Sequence, residues 1–393
     1  MIGLSSLLET TQTFGDKLRY SEEARGQHSG THKGHGPVVV WNITRTCNLN
    51  CLHCYSSSEA VAYDGELTTE EAKNVIDQLS EANVPVILFS GGEPLIRPDI
   101  LELAEYAISK GIRITFSTNG TLITPEKAAK LKDLGVSYVG ISLDGIGETH
   151  DKFRRKEGAF EMTLKGIRNC LAVGQKVGLR FTMNRHNIDS LRSILDLMEE
   201  ENIPRACFYH LVYAGRGSVE DDITHEQSRE ALDTILEAIQ RFADNGTPRE
   251  ILTVDNHADG VYLYLKTKKE NPELAERIYE KLVRNGGNRS GIAICNIDHR
   301  GNIHPDQFSQ QITFGNLREN SFQEIWNSDH PILVGLRNRK EMIKGRCASC
   351  QYFNVCNGNF RPRAFGYYGD FWESDPQCFL TDEEIGLTTP SGV

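Results

Sequence analysis

The chain has 393 residues, 25% of them charged and 39% hydrophobic, and carries a formal net charge of −11. That length buries a large core and suits one big domain beside a smaller one, and the mixed composition excludes a wholly disordered chain. The acidic balance argues against a general nucleic-acid binder, and no apolar run is long enough to span a bilayer.

The start, MIGLSSLLETTQTFGDKL, lacks the basic-then-apolar order of a signal peptide. Ten cysteines without a secretion signal point to a reducing, cytoplasmic setting and to metal ligation rather than disulfide stapling. Residues 1–36 read as an N-terminal arm. Its polar part, SEEARGQHSGTHKGHG, is expected to be a flexible leader rather than a metal site, although it holds His28, His32 and His35.

From residue 38 a rhythm sets in. VVVWNIT is followed by TTEEAKNVIDQLSEANV, PVILFS by DILELAEYAISKG, IRITFS by PEKAAKLKDLG, and VSYVGIS by a helical stretch through Lys165. VGLRFTM then leads to IDSLRSILDLMEEEN, and ACFYHLV to HEQSREALDTILEAIQRFA. Short runs that are apolar throughout alternate with stretches whose apolar residues recur every three or four positions, as in a parallel sheet covered by helices. Six such units over residues 37–245 fit a partial barrel or an open α/β sheet. Residues 246–290, beginning EILTVDNHADG, read as a mainly helical bridge. Residues 291–393 hold five of the ten cysteines and no clear strand–helix repeat, so they read as a second, cysteine-dependent domain.

CNLNCLHC places Cys47, Cys51 and Cys54 directly after the first strand. The carboxyl ends of parallel strands form the functional rim of such folds. Three thiolates there are open to disulfide, zinc or iron–sulfur readings; on a cubane cluster they would leave one iron without a protein ligand, whereas structural zinc takes four ligands. SGGEP ends the second strand, STNG the third and SLDG the fourth, and Gly91 and Gly92 would let backbone approach a ligand while Glu93 accepts from an ammonium.

These motifs together resemble the radical SAM family, with His53 standing where many members have an aromatic residue before the last cysteine. The resemblance implies a partial (β/α)6 TIM-like barrel. It further implies a four-iron, four-sulfur cluster on Cys47, Cys51 and Cys54 whose fourth iron takes S-adenosylmethionine. Contacts to that cofactor are implied for Gly91, Gly92, Glu93, Asn119, Ser142, Asp144, Arg180 and Thr182. Reductive cleavage would give a 5′-deoxyadenosyl radical, with the electron coming from a donor such as ferredoxin or flavodoxin.

Cys347, Cys350, Cys356 and Cys378 offer four thiolates, enough to close a zinc site or a cubane. CASCQYFNVC followed by DPQC resembles the distal half of the SPASM extension, which implies an auxiliary four-iron, four-sulfur cluster. The proximal half needs further cysteines; Phe360 stands where one is expected and Cys295 is an isolated remnant, so one auxiliary cluster is expected. Cys170 and Cys207 read as buried, inert thiols.

Longer stretches, among them PVVVWNITRTCNLNCLHCYSSS, VGISLDGIGETHDKFRRKEGAFE, DNHADGVYLY and NIDHRGNIHPDQF, resemble the haem-biosynthesis branch of the family. One activity of that branch removes two acetates from 12,18-didecarboxysirohaem to give iron-coproporphyrin III; a related one removes propionates on the way to d-type haem. A peptide maturase and a non-enzymatic cluster scaffold are the other readings. An iron tetrapyrrole edged by carboxylates calls for arginine forks, for which Arg154, Arg155, Arg216, Arg361 and Arg363 are candidates, with NFRPRAFGYYGDFW as a wall. His257, His299 and His304 are candidates for contact with its iron.

Overall fold

A computed structural model describes residues 1–11, 19–20 and 29–387; His28 lies outside that set. Strands form where the apolar runs stand: β1 (Ile2–Gly3), β2 (Val38–Thr44), β3 (Val86–Gly91), β4 (Arg113–Thr118), β5 (Tyr138–Ser142), β6 (Val177–Met183), β7 (Arg205–His210) and β8 (Glu250–Val254). Three short strands follow, β9 (Ile294–Ile297), β10 (Asn302–His304) and β11 (Gly315–Asn316). All belong to one sheet in the order β1-β8-β7-β6-β5-β4-β3-β2-β9-β10-β11. Strands β2 to β8 run parallel in sequence order, which is the expected partial barrel.

The intervening helices begin where the sequence caps them. Thr68 accepts from the Glu71 amide while Glu71 reaches back to the Thr68 amide, starting the helix Thr69–Glu81, whose Ala72, Val75, Ile76 and Leu79 are buried. The same reciprocal box, Thr224 with Gln227, opens His225–Asp244. Strand alternation then sorts the two faces. Trp41, Phe89 and Phe116 stand in register on adjacent strands and pack as tilted rings, with centroids 5.8 and 5.6 Å apart, in the core beneath the helices. Their alternates Val40, Leu88, Ser90 and Ser117 turn to the other face, where a cavity opens.

Three features depart from the sequence reading. EILTV, expected to begin the helical bridge, is strand β8, every residue of it buried, and adds a seventh strand to the parallel run. A five-residue apolar run carries no periodicity that separates strand from buried helix; pairing with β7 decides it. The start of the arm is not separate from the barrel: β1 pairs antiparallel with β8, and Ile2, Leu4 and Leu7 are buried. The cysteine-rich region shares the sheet, because β9 pairs parallel with β2. That pairing puts Cys295 opposite Val39 in the main core, and Cys170 and Cys207 are likewise buried.

Arg363 ties the C-terminal region to the barrel by donating to the carbonyls of Leu211 and Asp255 at 3.2 and 2.6 Å, and it is itself held in a buried ion pair. Arg363 Nε and Nη2 donate to Asp375 at 3.0 and 2.7 Å, and both side chains are fully buried. Removing one partner of such a pair strands the other charge, so Asp375→Ala should cost about 3–5 kcal/mol. Asp382→Ala, which breaks the exposed pair with Arg346, should cost at most about 1 kcal/mol. Urea unfolding of the two variants against the parent protein checks the contrast.

Candidate active site

The cavity lies at the carboxyl ends of the parallel strands and encloses about 1050 Å³, its open mouth included. Cys47, Cys51 and Cys54 line one side of it. Two of the three are buried, with Leu49 between them, and burial pushes the Cys47 thiol up to about 12. Thiolates in such a place need a cation beside them.

The loop that carries these cysteines is held from four directions. Gly92 and Glu93 donate their amides to the carbonyls of Thr44 and Thr46 at 2.8 and 2.9 Å. That contact needs the two glycines, since a Cβ on Gly91 would fall 2.3 Å from the Thr44 oxygen and one on Gly92 2.2 Å from that of Thr46. The close approach expected for a ligand is thus made to the protein's own cysteine loop. Asn119 Nδ2 donates to Asn48 at 2.8 Å, and Asn48 in turn to Thr121 at 2.9 Å. Arg216 donates to the carbonyls of Cys51 and Ser58 at 2.8 and 3.1 Å. Arg154 donates to the Cys51 sulfur at 3.4 Å and pairs with Asp144.

Several expected site residues therefore have other work. Glu93 is wholly buried, and its carboxylate accepts from Leu95 N, Thr118 Oγ1 and Asn119 N at 3.1, 2.7 and 2.8 Å. Burial raises its pKa and these donors oppose the rise; the side chain braces β3 against β4 rather than lining the cavity. Asp144 is also buried, accepting from Arg154 and from the Thr182 amide at 2.9 Å. Gly91, Gly92, Asn119, Ser142, Arg180 and Thr182 do line the cavity. The Arg180 guanidinium stacks over Tyr209 at 4.6 Å and, among the described residues, makes no hydrogen bond or ion pair. Toward the described residues it is a cation left free on this wall.

The expected tetrapyrrole arginines are mostly spoken for. Arg154 and Arg216 serve the cysteine loop, and Arg155 is exposed beyond a helix end. Arg361 is fully buried on the carbonyls of Gly358, Phe371 and Glu373, and Arg363 on Asp375 and the carbonyls of Leu211 and Asp255. NFRPRAFGYYGDFW is accordingly not a wall of the cavity; Phe360 reaches it only through Phe308, at 5.6 Å. The histidines also lie elsewhere: His257 Nε2 meets the Met1 amino group at 3.2 Å, His304 Nδ1 meets the Ile312 carbonyl at 2.7 Å, and His299 packs edge-on to Tyr63. His32 and His35 are in edge contact with each other.

Residues not singled out from sequence complete the cavity: Tyr55, Tyr209, Asp255, Gln307 and Phe308. Asp255 follows β8 directly, so recognising that strand would have marked it as a rim residue. Its φ is +68°, it is 7% exposed, and its pKa is pushed up to about 6, chiefly by burial.

The second cysteine set lies in the C-terminal region. Cys347, Cys356 and Cys378 are buried and Cys350 half-buried. Burial and the charges of Cys378, Cys350 and Cys347 push the Cys356 thiol well up, while Cys378 is pushed up to about 12 by burial and then by Cys347. Four thiols are, by number and chemistry, a donor set of the size that closes a cluster.

The sequence profile of the Radical SAM superfamily matches residues 41–198, and that of SPASM, an iron–sulfur cluster-binding domain, matches residues 290–351. Fe-coproporphyrin III synthase of Methanosarcina barkeri is 53% identical over 98% of this chain and 99% of its own length. The chain belongs to the radical SAM superfamily. This radical SAM enzyme is also 42% identical to Pre-heme d1 synthase of Dinoroseobacter shibae, over 90% of the chain and 88% of that protein. In fold it matches SuiB of Streptococcus suis, solved bound to the precursor peptide SuiA, with a TM-score of 0.69 at 18% identity, covering 88% of this chain and 76% of that one. The peptide-bound anSMEcpe with AdoMet matches at 0.68 and 16%, over 89% and 95%. At those identities the likeness is one of fold.

Membership implies iron–sulfur clusters and S-adenosylmethionine binding. Among the described residues no three His, Cys, Asp or Glu side chains are drawn together as a site for a metal ion, and no helix is long and apolar enough to cross a membrane.

Two outcomes follow from this geometry. Gly92→Ala, by forcing the Thr46 carbonyl away, should cost about 1–3 kcal/mol and lower the iron bound per chain after anaerobic reconstitution, which colorimetric iron analysis reads. For Asp255 the folded pKa lies above the unfolded one, so the protein loses stability as pH rises from about 4 through about 6. Asp255→Asn keeps a residue type that tolerates positive φ and removes that loss. It should be up to about 3 kcal/mol more stable above pH 6 and little changed at pH 4, as measured by denaturation across that range.

Proposed function

We propose that this radical SAM enzyme removes the two acetate side chains of 12,18-didecarboxysirohaem and releases iron-coproporphyrin III. The observation that carries the reading is the 53% identity to Fe-coproporphyrin III synthase over nearly the whole of both chains. The lower identity to Pre-heme d1 synthase makes propionate removal the second reading. A cavity of about 1050 Å³ with aromatic walls and one uncommitted guanidinium suits a large, flat, carboxylate-edged substrate.

In this reading Cys47, Cys51 and Cys54 hold a four-iron, four-sulfur cluster and leave one iron for S-adenosylmethionine; together these groups supply hydrogen abstraction by a carbon-centred radical. The chain's own residues set the conditions. Arg154, neutralised on its far side by Asp144, brings positive charge to the Cys51 sulfur. Glu93, Asn119 and Arg216 hold the cysteine loop in register with the strand ends. Arg180 presents its fork to a carboxylate, and the neighbouring Ser142 and Thr182 offer hydroxyls. Tyr55, Tyr209 and Phe308 narrow the cavity and exclude water from it. Cys347, Cys350, Cys356 and Cys378 hold an auxiliary four-iron, four-sulfur cluster, and an external donor such as ferredoxin or flavodoxin supplies the electron.

The test is anaerobic reconstitution followed by incubation with dithionite, S-adenosylmethionine and didecarboxysirohaem, and mass analysis of the tetrapyrrole. The expected product is iron-coproporphyrin III with both acetates gone and 5′-deoxyadenosine formed. Cys51→Ala should abolish 5′-deoxyadenosine formation, whereas Cys170→Ala, buried in the core, should retain it. An unchanged tetrapyrrole beside active cleavage of S-adenosylmethionine would sink the substrate assignment and turn the assay to propionate-bearing precursors.

A further inference from the structure

Asp255 is anomalous among the residues of the cavity. It follows the last strand of the parallel run, lines the cavity and is 7% exposed. Its carboxyl makes no hydrogen bond to any described residue, and Oδ2 is buried without a partner. Its backbone is in the left-handed region, at φ +68°, and is held there because Arg363 Nη2 grips its carbonyl at 2.6 Å. A non-glycine residue pinned in that region, with an unanswered carboxyl at a ligand cavity, is strain that the surrounding structure maintains.

Charged and titratable groups approach it from every neighbouring element. Arg180 on β6 and Tyr209 on β7 share its side of the cavity, the Met1 amino group and Arg363 lie behind it, Asp306 faces it from the loop after β10, and His257 stands two residues on. The cations favour the carboxylate; burial and the Asp306 carboxyl oppose it. Asp306 has its own unpartnered Oδ2 and accepts from the amides of Phe308 and Ser309 with Oδ1.

Resting on the tetrapyrrole reading above, we propose that Asp255 binds the substrate directly, as a neutral carboxylic acid whose O–H donates to a carboxylate on the tetrapyrrole edge. Arg180 serves the same wall as a charged fork, so the cavity offers one cationic and one neutral donor to an anionic rim. The proton comes from solvent: an ionised Asp255 would meet the incoming carboxylate as a like charge, so binding takes up one proton and leaves an acid–carboxylate hydrogen bond. The raised pKa of Asp255, to about 6, makes that uptake inexpensive near neutrality.

The experiment is a titration of the anaerobically reconstituted full-length protein, without reductant, with 12,18-didecarboxysirohaem and in parallel with iron-coproporphyrin III, followed by the absorption band of each, between pH 5.5 and 8. The parent protein and Asp255→Asn are compared, with Asp255→Gly as a second variant that accepts positive φ freely. Above pH 6 the parent should weaken by about tenfold per pH unit relative to Asp255→Asn, the slope of one linked proton. The Asn variant, which keeps a neutral donor, should bind without that slope. The Gly variant should lose the slope and bind more weakly than Asn at every pH. Equal slopes in parent and Asn variant, with porphyrin bound by both, would overturn the role of Asp255 and leave the substrate reading intact. So would a variant that loses S-adenosylmethionine affinity while its porphyrin titration matches the parent. Failure of the parent itself to bind either tetrapyrrole would overturn the substrate reading, and this role with it.

Discussion

The guanidinium of Arg363 joins three parts of the chain that are far apart in sequence. It pairs with Asp375, three residues before Cys378, and donates to the carbonyls of Leu211 after β7 and Asp255 after β8. Around it, Asn256 donates to the Gln377 carbonyl and accepts from Asn359, which in turn accepts from the His257 amide. A buried charge is tolerated only when paired and surrounded by hydrogen bonds. Arg363 meets that condition, and it does so only when the C-terminal region is seated on the ends of β7 and β8. The shape of the cavity at that end therefore depends on the second cysteine region being folded.

At the opposite end, the first cysteine loop is built by contacts to the chain itself. The glycine pair after β3 is shaped for the carbonyls of residues 44–46, Arg216 is spent on the carbonyls of the loop, and Arg154 reaches a cysteine sulfur from a buried pair with Asp144. These groups hold the thiols at a fixed rim position. Toward the described residues, Arg180 in the cavity lining is a guanidinium without a hydrogen bond and Asp255 a carboxyl without one. A polar side chain left without a partner beside a cavity can answer a ligand with complementary groups.

Most of the barrel was legible because parallel strands buried on both faces read as unbroken apolar runs and the covering helices read at their own period. Cys47, Cys51 and Cys54 were legible because their spacing is local. β8 was missed because five residues are too few for a period. The partners of the arginines were not legible for a different reason. A guanidinium in sequence has the same chemistry whether it meets a substrate carboxylate, a buried aspartate or a backbone carbonyl, and Arg154, Arg216, Arg361 and Arg363 all turned out to be occupied within the fold.

The sequence by itself determined the alternation of strands and helices, the two cysteine sets and the family to which they belong, since each is written in short-range spacing. Only the tertiary structure decided which charges are free. Glu93 became a brace, Arg363 a clamp and Asp255 a cavity residue through partners dozens to more than a hundred positions away. The physical reason is that a polar side chain's role is set by whether its hydrogen bonds are already satisfied, and that is a property of neighbours in space, not along the chain.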